Sequence, residues 1–353
     1  NLVIKKCFKT QRVYERERER VNAACFVITK PKLREIFAAD FRDRIVHHIL
    51  VNYLETIWEP KFIDQSYSCR KKKGAHRTIK DLRRYVGKIT KGNTQRAYYL
   101  QVDIQSFFVS LKKDILFELI KRHTKNPEIL WLAKVIIFHD PTRNYYRKCQ
   151  PSLFDLIPDH KSLFKVSPDQ GLPIGNLTSQ FFANVYLNEL DQFVKHELKV
   201  KYYLRYVDDL VFLSQNKSQL LTWRDKIDKF LQWKLKLKLH PQKQILQDIN
   251  KGIDFVGFVV KPDYILVRRR IVKNFKEKLW KLNKNLEEFT EQEIKRILSV
   301  VNSYYGQFRH AKTFGLRQKL WNKNFGELRE FLEPVDPVRY NYFKIKDVYK
   351  QNI

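Results

Sequence analysis

The sequence predicts an α+β protein, in which short antiparallel hairpins and long helices come from different stretches of the chain. Two pairs of apolar, β-prone runs predict hairpins, one over residues 202–213 and one over residues 255–267 with its turn at Pro262-Asp263. Elsewhere, apolar residues recur at helical spacing. At 353 residues, the chain is long enough for two or three substructures and a sizeable core.

The composition indicates a polyanionic partner. Lys and Arg number 69 against 38 Asp and Glu, a formal net charge of +31, and self-repulsion on this scale calls for bound phosphates or strong screening. The 25 Phe, 18 Tyr and 6 Trp exclude a disordered basic tail and, interleaved with the cations, favour nucleic acid over a membrane surface.

The sequence does not predict export or membrane insertion. The longest apolar runs, such as residues 129–138, are too short to span a bilayer, and lysines near the N-terminus interrupt any signal peptide. The cysteines have no Cys-x-x-Cys spacing, which weighs against a zinc or disulfide framework and fits a cytoplasmic location; they are Cys7, Cys25, Cys69 and Cys149.

The N-terminal part is predicted to be basic and helical. Residues 1–24 form a peripheral extension with alternating charge, and an amphipathic helix begins at Pro31 and continues to Ile57. Lys30, Lys32 and Arg34 at its start either bind phosphate or form a solvated helix end.

Residues 70–96 contain eleven Lys or Arg and one acid. Gly74 within this run would let the backbone approach a phosphate of the substrate or template, the alternative being a solvated basic face.

Asp103 ends a strand predicted over residues 98–104. An acid at the end of a buried strand is where α/β folds place metal-binding carboxylates. Phe107 and Phe108 follow, and one of the two rings is expected to pack in the core. Helices are then predicted over residues 112–123 and 127–138, and an irregular insertion over residues 139–168.

Residues 171–180, with the sequence Gly-Leu-Pro-Ile-Gly-Asn-Leu-Thr-Ser-Gln, precede a helix predicted over residues 181–198. A glycine-rich turn beside a helix N-terminus suits a flat base and its sugar. It is equally an ordinary loop before a helix, with Asn176 or Thr178 as the cap.

Asp208 and Asp209 lie at the tip of the first hairpin. Neighbouring side chains on a straight strand point to opposite faces, so only a turn lets both carboxylates approach one point. Two buried carboxylates without partners are costly. A divalent cation would relieve that cost, and the alternative is a solvated Asp-Asp turn.

Basic helices follow this hairpin. One is predicted over residues 218–239, and residues 268–284 carry eight Lys or Arg against one acid. Thr290 and Glu293 then form a capping box that opens another helix.

Taken in order, these motifs resemble those of prokaryotic reverse transcriptases over about residues 26–325. The resemblance rests on Val102-Asp103-Ile104 with Phe107-Phe108, on residues 171–180, on Tyr206-Val-Asp-Asp209 and on Phe255-Val-Gly-Phe258. Upstream matches are Lys32, Arg34 and residues 43–46, 66–70 and 74–76. The amino-acid sequence of residues 171–180 most resembles that of the enzymes of diversity-generating retroelements, within the superfamily of group II intron and retron enzymes.

The resemblance implies a right-hand polymerase fold with fingers, a palm of antiparallel strands and a helical thumb. The implied segments are an N-terminal extension (1–24), fingers (25–97), a first part of the palm (98–111), a fingers or palm insertion (112–170), the palm (171–262), and a thumb with a C-terminal tail (263–353). The sequence shows no late acidic cluster, Cys/His endonuclease or maturase extension, which argues against retroviral and mobile group II intron enzymes.

Site residues are implied by the same resemblance. Asp103, Asp208 and Asp209 would be the catalytic acids and, with the carbonyl of Ile104, would hold two Mg²⁺ ions, Mn²⁺ being possible. The implied nucleotide-binding residues are Lys32, Arg34, Arg70, Phe108, Ile174, Gly175, Gln180 and Lys243, and the implied primer grip is Phe255, Gly257 and Phe258.

Three of these residues carry specific roles in the family. Phe108 matches the aromatic ring that blocks a ribose 2′-hydroxyl, and Ile174 stands where many accurate enzymes have Gln. Lys243 matches a late lysine that protonates pyrophosphate, the alternative being an ordinary surface lysine in a basic helix and loop.

The implied activity is cDNA synthesis from template RNA, a primer strand and dNTPs. Errors would concentrate at template adenines, as in mutagenic retrohoming, with a small basic oligomeric accessory protein as partner. Two alternatives stay open. One is a defence- or CRISPR-associated reverse transcriptase, and the other is a catalytically silent RNA-binding scaffold, against which the three intact acids argue.

Overall fold

The computed structural model describes residues 23–30, 32–284 and 290–347. Its β-strands are β1 (Ala23–Ile28), β2 (Arg34–Ala38), β3 (Tyr98–Ile104), β4 (Tyr145–Arg147), β5 (Tyr203–Tyr206), β6 (Asp209–Ser214), β7 (Leu239–Asp248), β8 (Ile253–Phe255), β9 (Phe258–Val260), β10 (Ile265–Val267), β11 (Leu332–Pro334) and β12 (Phe343–Ile345). Its α-helices are Phe41–Trp58, Ala75–Ile89, Phe107–Ser110, Lys113–His123, Pro127–Phe138, Leu177–Gln192, Lys217–Phe230, Arg269–Lys284, Glu291–Phe308, Phe314–Asn324 and Leu328–Phe331.

The chain forms two compact units. Of the described residues, the first comprises residues 23–30, 32–71, 100–212 and 217–245, and the second residues 72–99, 213–216, 246–284 and 290–347. Within the described ranges, no helix combines the length and the apolar character that crossing a membrane requires.

The first unit is built around a four-stranded sheet of order β5-β6-β3-β7. The helix Leu177–Gln192 supplies much of its core, since most of that helix is buried. A second sheet has the order β2-β1-β4, with β1 antiparallel to β2 and parallel to β4. Phe37 of β2 packs there with Tyr145 and Phe164, at ring-centroid distances of 6.4 and 5.5 Å.

The second unit combines the sheet β10-β9-β8, the hairpin β11-β12 and a helical part. Its helices meet in an aromatic core around Phe275 and Tyr305, whose rings lie 5.9 Å apart. Phe308, Phe325 and Phe343 complete this core and are also buried. Helix Arg269–Lys284 turns Phe275 and Leu279 inward and its cations outward, as an amphipathic surface helix does.

Several predicted elements are confirmed. The strand over residues 98–104 and the helix over residues 127–138 have the predicted bounds, and the helix predicted from residue 112 begins at Lys113. The capping box is present, with each of Thr290 and Glu293 accepting from the other's backbone N–H. The α+β class is confirmed as well, because antiparallel sheets and helices occupy separate stretches of the chain.

The helix predicted from Pro31 is wrong over its first part. Residues 34–38 are the strand β2, and the helix begins at Phe41, after Asp40 accepts a hydrogen bond from the Arg42 N–H at 3.0 Å. Ile36 and Phe37 fit a helical spacing, but they pair with β1. That pairing is not visible in local periodicity. The N-terminal extension predicted over residues 1–24 lies outside the described residues, apart from the start of β1.

Three further boundaries differ from the prediction. The helix expected over residues 181–198 already begins at Leu177, and a π-helical turn, Phe193–Glu197, continues it. The helix expected over residues 218–239 ends in a π-helical turn at Leu235, and Lys243 lies on β7 rather than in a helix and loop. Residues 255–260 are not one strand, because the chain reverses between β8 and β9.

Candidate active site

The two neighbouring acids lie on the β5–β6 hairpin. Tyr206 pairs with Asp209, so the connecting turn consists of Val207 and Asp208 alone. Val207 has φ +56°, the left-handed conformation that closes such a turn. The amide of Ile104 donates to the carbonyl of Asp208 at 3.2 Å. This bond places the end of β3, and with it Asp103, beside the turn, as predicted.

Burial and mutual repulsion make these carboxylates hard to ionise. The pKa of Asp209 is raised to about 7, first by burial and then by the charges of Asp208 and Asp103. Burial and Asp103 also raise the pKa of Asp208. Lys32 acts against both shifts and does not cancel them. The acids therefore form a negative site that lacks sufficient positive charge.

Asp103 has a cationic partner. Lys243 Nζ lies 2.5 Å from Asp103 Oδ2, and the lysine side chain is about half exposed while the aspartate is largely buried. Among the described residues, no three His, Cys, Asp or Glu side chains converge as a set that could hold a metal ion. The acids thus supply the hard oxygen donors that Mg²⁺ prefers, but Asp103 faces Lys243 instead of closing a ligand set with the hairpin.

The two predicted phosphate ligands lie at the start of strand β2 and just before it. Arg34 and the nearby Lys32 are exposed, and their charges partly offset the rise in the pKa of Asp208 that burial and Asp103 cause. The next residue, Glu35, is buried and accepts hydrogen bonds from Ser162 Oγ at 2.5 Å and from the Leu163 N–H at 2.8 Å. The irregular insertion is therefore attached to the strand that presents Lys32 and Arg34.

The insertion brings residues that the sequence analysis missed. Burial and the charge of Lys243 lower the pKa of His240, Asp103 raises it, and Lys161 and His160 lower it further. His160 and Lys161 therefore lie in the electrostatic field of the site. They belong to a short 3₁₀ turn in a stretch without periodicity or a recognisable motif, so no local pattern could have identified them.

Backbone hydrogen bonds join the glycine-rich segment 171–180 to residues after β3 on one side and to β2 on the other. The Gly171 and Leu172 amides donate to the carbonyls of Leu111 and Phe108, each at 2.8 Å, and the Ile174 carbonyl accepts from Phe37 at 2.8 Å. Asn176 occupies the predicted N-cap position, but its side chain accepts from the Ala39 N–H at 3.0 Å rather than capping the helix.

Gly175 is required by this geometry. Its φ is +131°, and a Cβ at this position would lie 2.8 Å from the Phe37 carbonyl oxygen. A side chain would therefore separate the segment from β2. Ile174 is half-buried, whereas Gln180 is exposed on the first turn of the following helix.

The two phenylalanines after Asp103 divide as expected. Phe107 is 2% exposed and packs in the core, whereas Phe108 is only partly buried. Their ring centroids lie 5.2 Å apart. Phe108 is thus the ring that remains available on this side of β3, and its assignment as the sugar-selecting residue stays a prediction.

Arg70, predicted to contact the nucleotide, is bound to neighbouring protein groups. Its guanidinium binds the Glu59 carboxylate at 2.7 Å and the carbonyls of Ile63 and Ser66 at 2.6 and 2.8 Å, with 6% of the side chain exposed. These bonds hold the loop after helix Phe41–Trp58. Arg70 therefore has a structural role here, and a contact of Arg70 with the triphosphate stays a prediction that would require these bonds to break.

The predicted primer grip lies in the second unit. Phe255 and Phe258 form a cross-strand pair and are each 1% exposed, so their rings belong to the core. Gly257, with φ +90°, and Val256 form the turn between them. The turn is partly exposed while the two rings are buried, and the role of this hairpin as a primer grip stays a prediction.

The chain belongs to the reverse transcriptase family. The family model described as "Reverse transcriptase (RNA-dependent DNA polymerase)" matches residues 28–260. That range contains both hairpin acids, Asp103, the glycine-rich segment and Lys243.

Curated relatives agree with this assignment. The chain is 23% identical over 272 residues to protein YkfC of Escherichia coli (strain K12), which covers 68% of this chain and 64% of that protein. It is 24% identical over 279 residues to the group II intron-encoded protein LtrA of Lactococcus lactis subsp. cremoris, covering 76% and 41%. The chain therefore spans less than two thirds of the length of these relatives. They support a prokaryotic enzyme related to group II intron proteins.

A solved structure supports the right-hand fold. Apo telomerase from Candida tropicalis, truncated from its C-terminal domain, matches with a TM-score of 0.50 and 13% identity, over 74% of this chain and 59% of that one. At this identity the similarity concerns the fold alone.

Proposed function

We propose that this chain is an RNA-directed DNA polymerase that extends a primer by nucleotidyl transfer. The observation that carries the proposal is the position of the β3 end, which carries Asp103, beside the hairpin that carries Asp208 and Asp209, in a chain that belongs to the reverse transcriptase family. A solvated Asp-Asp turn does not account for the raised pKa values of these acids.

Asp103, Asp208, Asp209 and the Ile104 carbonyl would hold two Mg²⁺ ions, or Mn²⁺. Bound there, the cations would supply activation of the primer 3′-hydroxyl and neutralisation of the triphosphate. Asp103 would have to release Lys243 to complete the ligand set. The freed ammonium would lie beside the acids, where it could bind the triphosphate and give a proton to pyrophosphate.

The remaining nucleotide contacts follow from the exposed groups of the first unit. Lys32 and Arg34 on the β2 side provide charge for the triphosphate. The base and sugar would rest against Phe108 and the segment containing Ile174, Gly175 and Gln180. In the second unit, the exposed cations of helix Arg269–Lys284 are suited to the backbone of an RNA–DNA duplex, which is recognised by shape.

A diversity-generating role is the finer proposal. It is supported by the amino-acid sequence of residues 171–180 and by Ile174, whose apolar side chain cannot hydrogen-bond an incoming nucleotide. A small basic oligomeric accessory protein would belong to the same proposal. A defence- or CRISPR-associated enzyme with the same chemistry is the main alternative.

Primer extension on an RNA template with Mg²⁺ and dNTPs tests the polymerase proposal. Wild-type protein should extend the primer, and Asp208→Asn should abolish extension while leaving RNA binding largely intact. Equal extension by the variant would contradict the assignment. Failure of the wild type, with and without a co-expressed partner, would favour the silent scaffold.

Sequencing the products tests the subgroup. Errors concentrated opposite template adenines, reduced by Ile174→Gln, would support the diversity-generating role. Uniformly accurate cDNA would be consistent with the polymerase proposal and would favour a defence- or CRISPR-associated enzyme. An unchanged error spectrum in Ile174→Gln would remove position 174 from the fidelity argument.

A further inference from the structure

A fully buried arginine lies next to the hairpin that carries the acids. Arg205, on β5, is 0% exposed, and all five N–H groups of its guanidinium have acceptors. Nε and Nη2 bind the Asp191 carboxylate at 2.9 and 2.6 Å. The other Nη2 bond goes to Ser66 Oγ at 2.8 Å, and Nη1 binds Asn184 Oδ1 and the Val207 carbonyl, each at 3.2 Å.

Asp191 fixes the guanidinium to the core. It lies on the buried helix Leu177–Gln192, is itself 0% exposed, and accepts a further hydrogen bond from the Tyr203 hydroxyl at 2.8 Å. Breaking a buried ion pair of this kind leaves an uncompensated charge. The position of the guanidinium is therefore set by the helix and not by the hairpin.

One bond of this arginine reaches the catalytic turn. The Val207 carbonyl belongs to the peptide whose nitrogen is that of Asp208, so the bond restrains the direction from which Asp208 leaves the turn. Val207 has φ +56°, which is unfavourable for a β-branched residue and persists only where the surroundings enforce it. The Arg205 N–H is a contact that enforces it.

The backbone of Arg205 adds a second restraint. Its N–H donates to the Gln65 carbonyl at 3.0 Å, and its carbonyl accepts from the Tyr67 N–H at 3.1 Å. These bonds hold β5 itself. They do not restrain the turn beyond Tyr206. Only the side chain of Arg205 contacts that turn, through the Val207 carbonyl.

We infer that Arg205 is a positioning residue: anchored by Asp191, it holds the strained Val207–Asp208 peptide and so keeps the two hairpin acids in place beside the end of β3. A structural ion pair would need only Asp191, whereas this guanidinium extends a further N–H to the turn. The inference rests on the proposed function for its kinetic consequence and on geometry alone for its effect on the turn.

Arg205→Lys tests it, since lysine keeps the charge but loses the planar fork. In metal-free protein, amide exchange of the peptide spanning residues 206–209 should become roughly tenfold faster. The turnover number should fall roughly ten- to hundredfold with an unchanged KM for primer–template, because small misplacements of reacting groups are that costly. Val207→Gly in the same chain should restore part of the turnover, since glycine accepts the positive φ.

Ser66→Ala is the matched control, because it removes a bond of Nη2, whereas Nη1 makes the bond to the turn. It should leave exchange at residues 206–209 and the turnover number near wild type. A folded Arg205→Lys variant with wild-type exchange and turnover, or a Ser66→Ala variant that behaves like it, would overturn the inference. If Arg205→Lys does not fold, Asp191→Asn takes its place, and unchanged exchange at the turn overturns the inference equally. An inactive wild type would defeat the proposed function, while the exchange result would still decide the role of Arg205.

Discussion

At the scale of single residues, burying the acids of the β5–β6 hairpin lowers the stability of the folded protein when they are ionised. Burial and neighbouring carboxylates raise the pKa of Asp209 from its ordinary value of 3.8 to about 7. Between these two pKa values, Asp209 therefore keeps its proton in the native state but has released it in the unfolded chain. A group with a raised pKa contributes its full stability below about pH 4, and that stability is lost as the pH rises towards 7.

Asp209→Asn should remove this loss. In metal-free protein, we expect the variant to unfold at a higher temperature than wild type at pH 8, with a gain in the free energy of unfolding of at most about 4 kcal/mol. The difference should shrink as the pH falls towards 5, because the wild-type acid is then protonated. Thermal unfolding followed by circular dichroism measures both. Asp225→Asn, at an exposed acid, is the control, and a gain that does not depend on pH would contradict the electrostatic account.

Lys243 should compete with cations for Asp103. Lys243→Gln removes the ammonium that lies 2.5 Å from the carboxylate, so we expect the free protein to bind Mn²⁺ several-fold more tightly in calorimetry, yet to incorporate dNTPs more slowly. Lys238→Gln, at an exposed lysine just before β7, is the matched control. Unchanged Mn²⁺ affinity in Lys243→Gln would show that the ion pair does not restrict the site.

Phe108 should exclude ribonucleotides. Phe108→Ala removes a partly exposed ring five residues after Asp103, and we expect the ratio of dNTP to NTP incorporation efficiency to fall by roughly tenfold or more. Single-nucleotide incorporation assays with both substrates measure this ratio. Phe107→Ala should instead lower stability, because that ring is buried. An unchanged ratio in Phe108→Ala would place the selection elsewhere.

At the scale of elements, the glycine-rich segment depends on its close approach to β2. Gly175→Ala should cost about 2 kcal/mol or more of stability and reduce polymerisation, because φ is +131° and the added Cβ would lie 2.8 Å from the Phe37 oxygen. Gly87→Ala is the control, since it lies in a helix with open space around it, and should stabilise by up to about 1 kcal/mol. Chemical denaturation measures both, and equal effects would contradict the steric account.

Elements that are defined by local chemistry could be predicted from the sequence. The β5–β6 hairpin, the strand that ends in Asp103 and the capping box of Thr290 and Glu293 each depend on neighbouring residues. The strand β2 could not be predicted, because Ile36 and Phe37 also fit a helical period and become a strand only by pairing with β1. Lys243 was placed in a helix and loop for the same reason, since its strand is defined by a sheet partner far away in sequence.

The site itself was predictable in its acids and less so in its surroundings. Asp103, Asp208 and Asp209 were recognisable by motif, and the structure places the end of β3 beside the hairpin, with Asp103 paired to Lys243. Arg70 has a phosphate-binding residue type, but its carboxylate and carbonyl partners only become visible in the fold. His160 and Lys161 reach the site through the Glu35 contacts of the insertion, which no sequence pattern indicates.

At the scale of the whole molecule, the charge of +31 indicates a polyanionic partner. Much of it lies on amphipathic helices such as Arg269–Lys284, whose cations are exposed and whose apolar residues are buried. Binding to an RNA–DNA duplex should accordingly weaken steeply with salt, because each neutralised phosphate releases counterions.

Replacing Lys276 and Lys278 by Glu should make this salt dependence shallower. We expect the slope of log affinity against log salt concentration to decrease by roughly 1.5 to 2 in magnitude, about one phosphate contact per lysine. Fluorescence anisotropy with a labelled duplex measures it. The pair Lys121→Glu and Lys125→Glu, exposed cations at and just beyond the end of helix Lys113–His123, introduces the same charge change. An equal loss of slope in both pairs would indicate a general charge effect rather than a contact surface.

The most direct test of the account is to map the cation that the three acids would share. Fe²⁺ in place of Mg²⁺, with ascorbate and peroxide, cuts the chain at the residues nearest the bound metal. We expect cleavage close to Asp103 and to Asp208-Asp209, suppressed by excess Mg²⁺ and absent in Asp208→Asn. Cleavage elsewhere, or the same fragments in that variant, would show that these carboxylates are not the metal site on which synthesis depends.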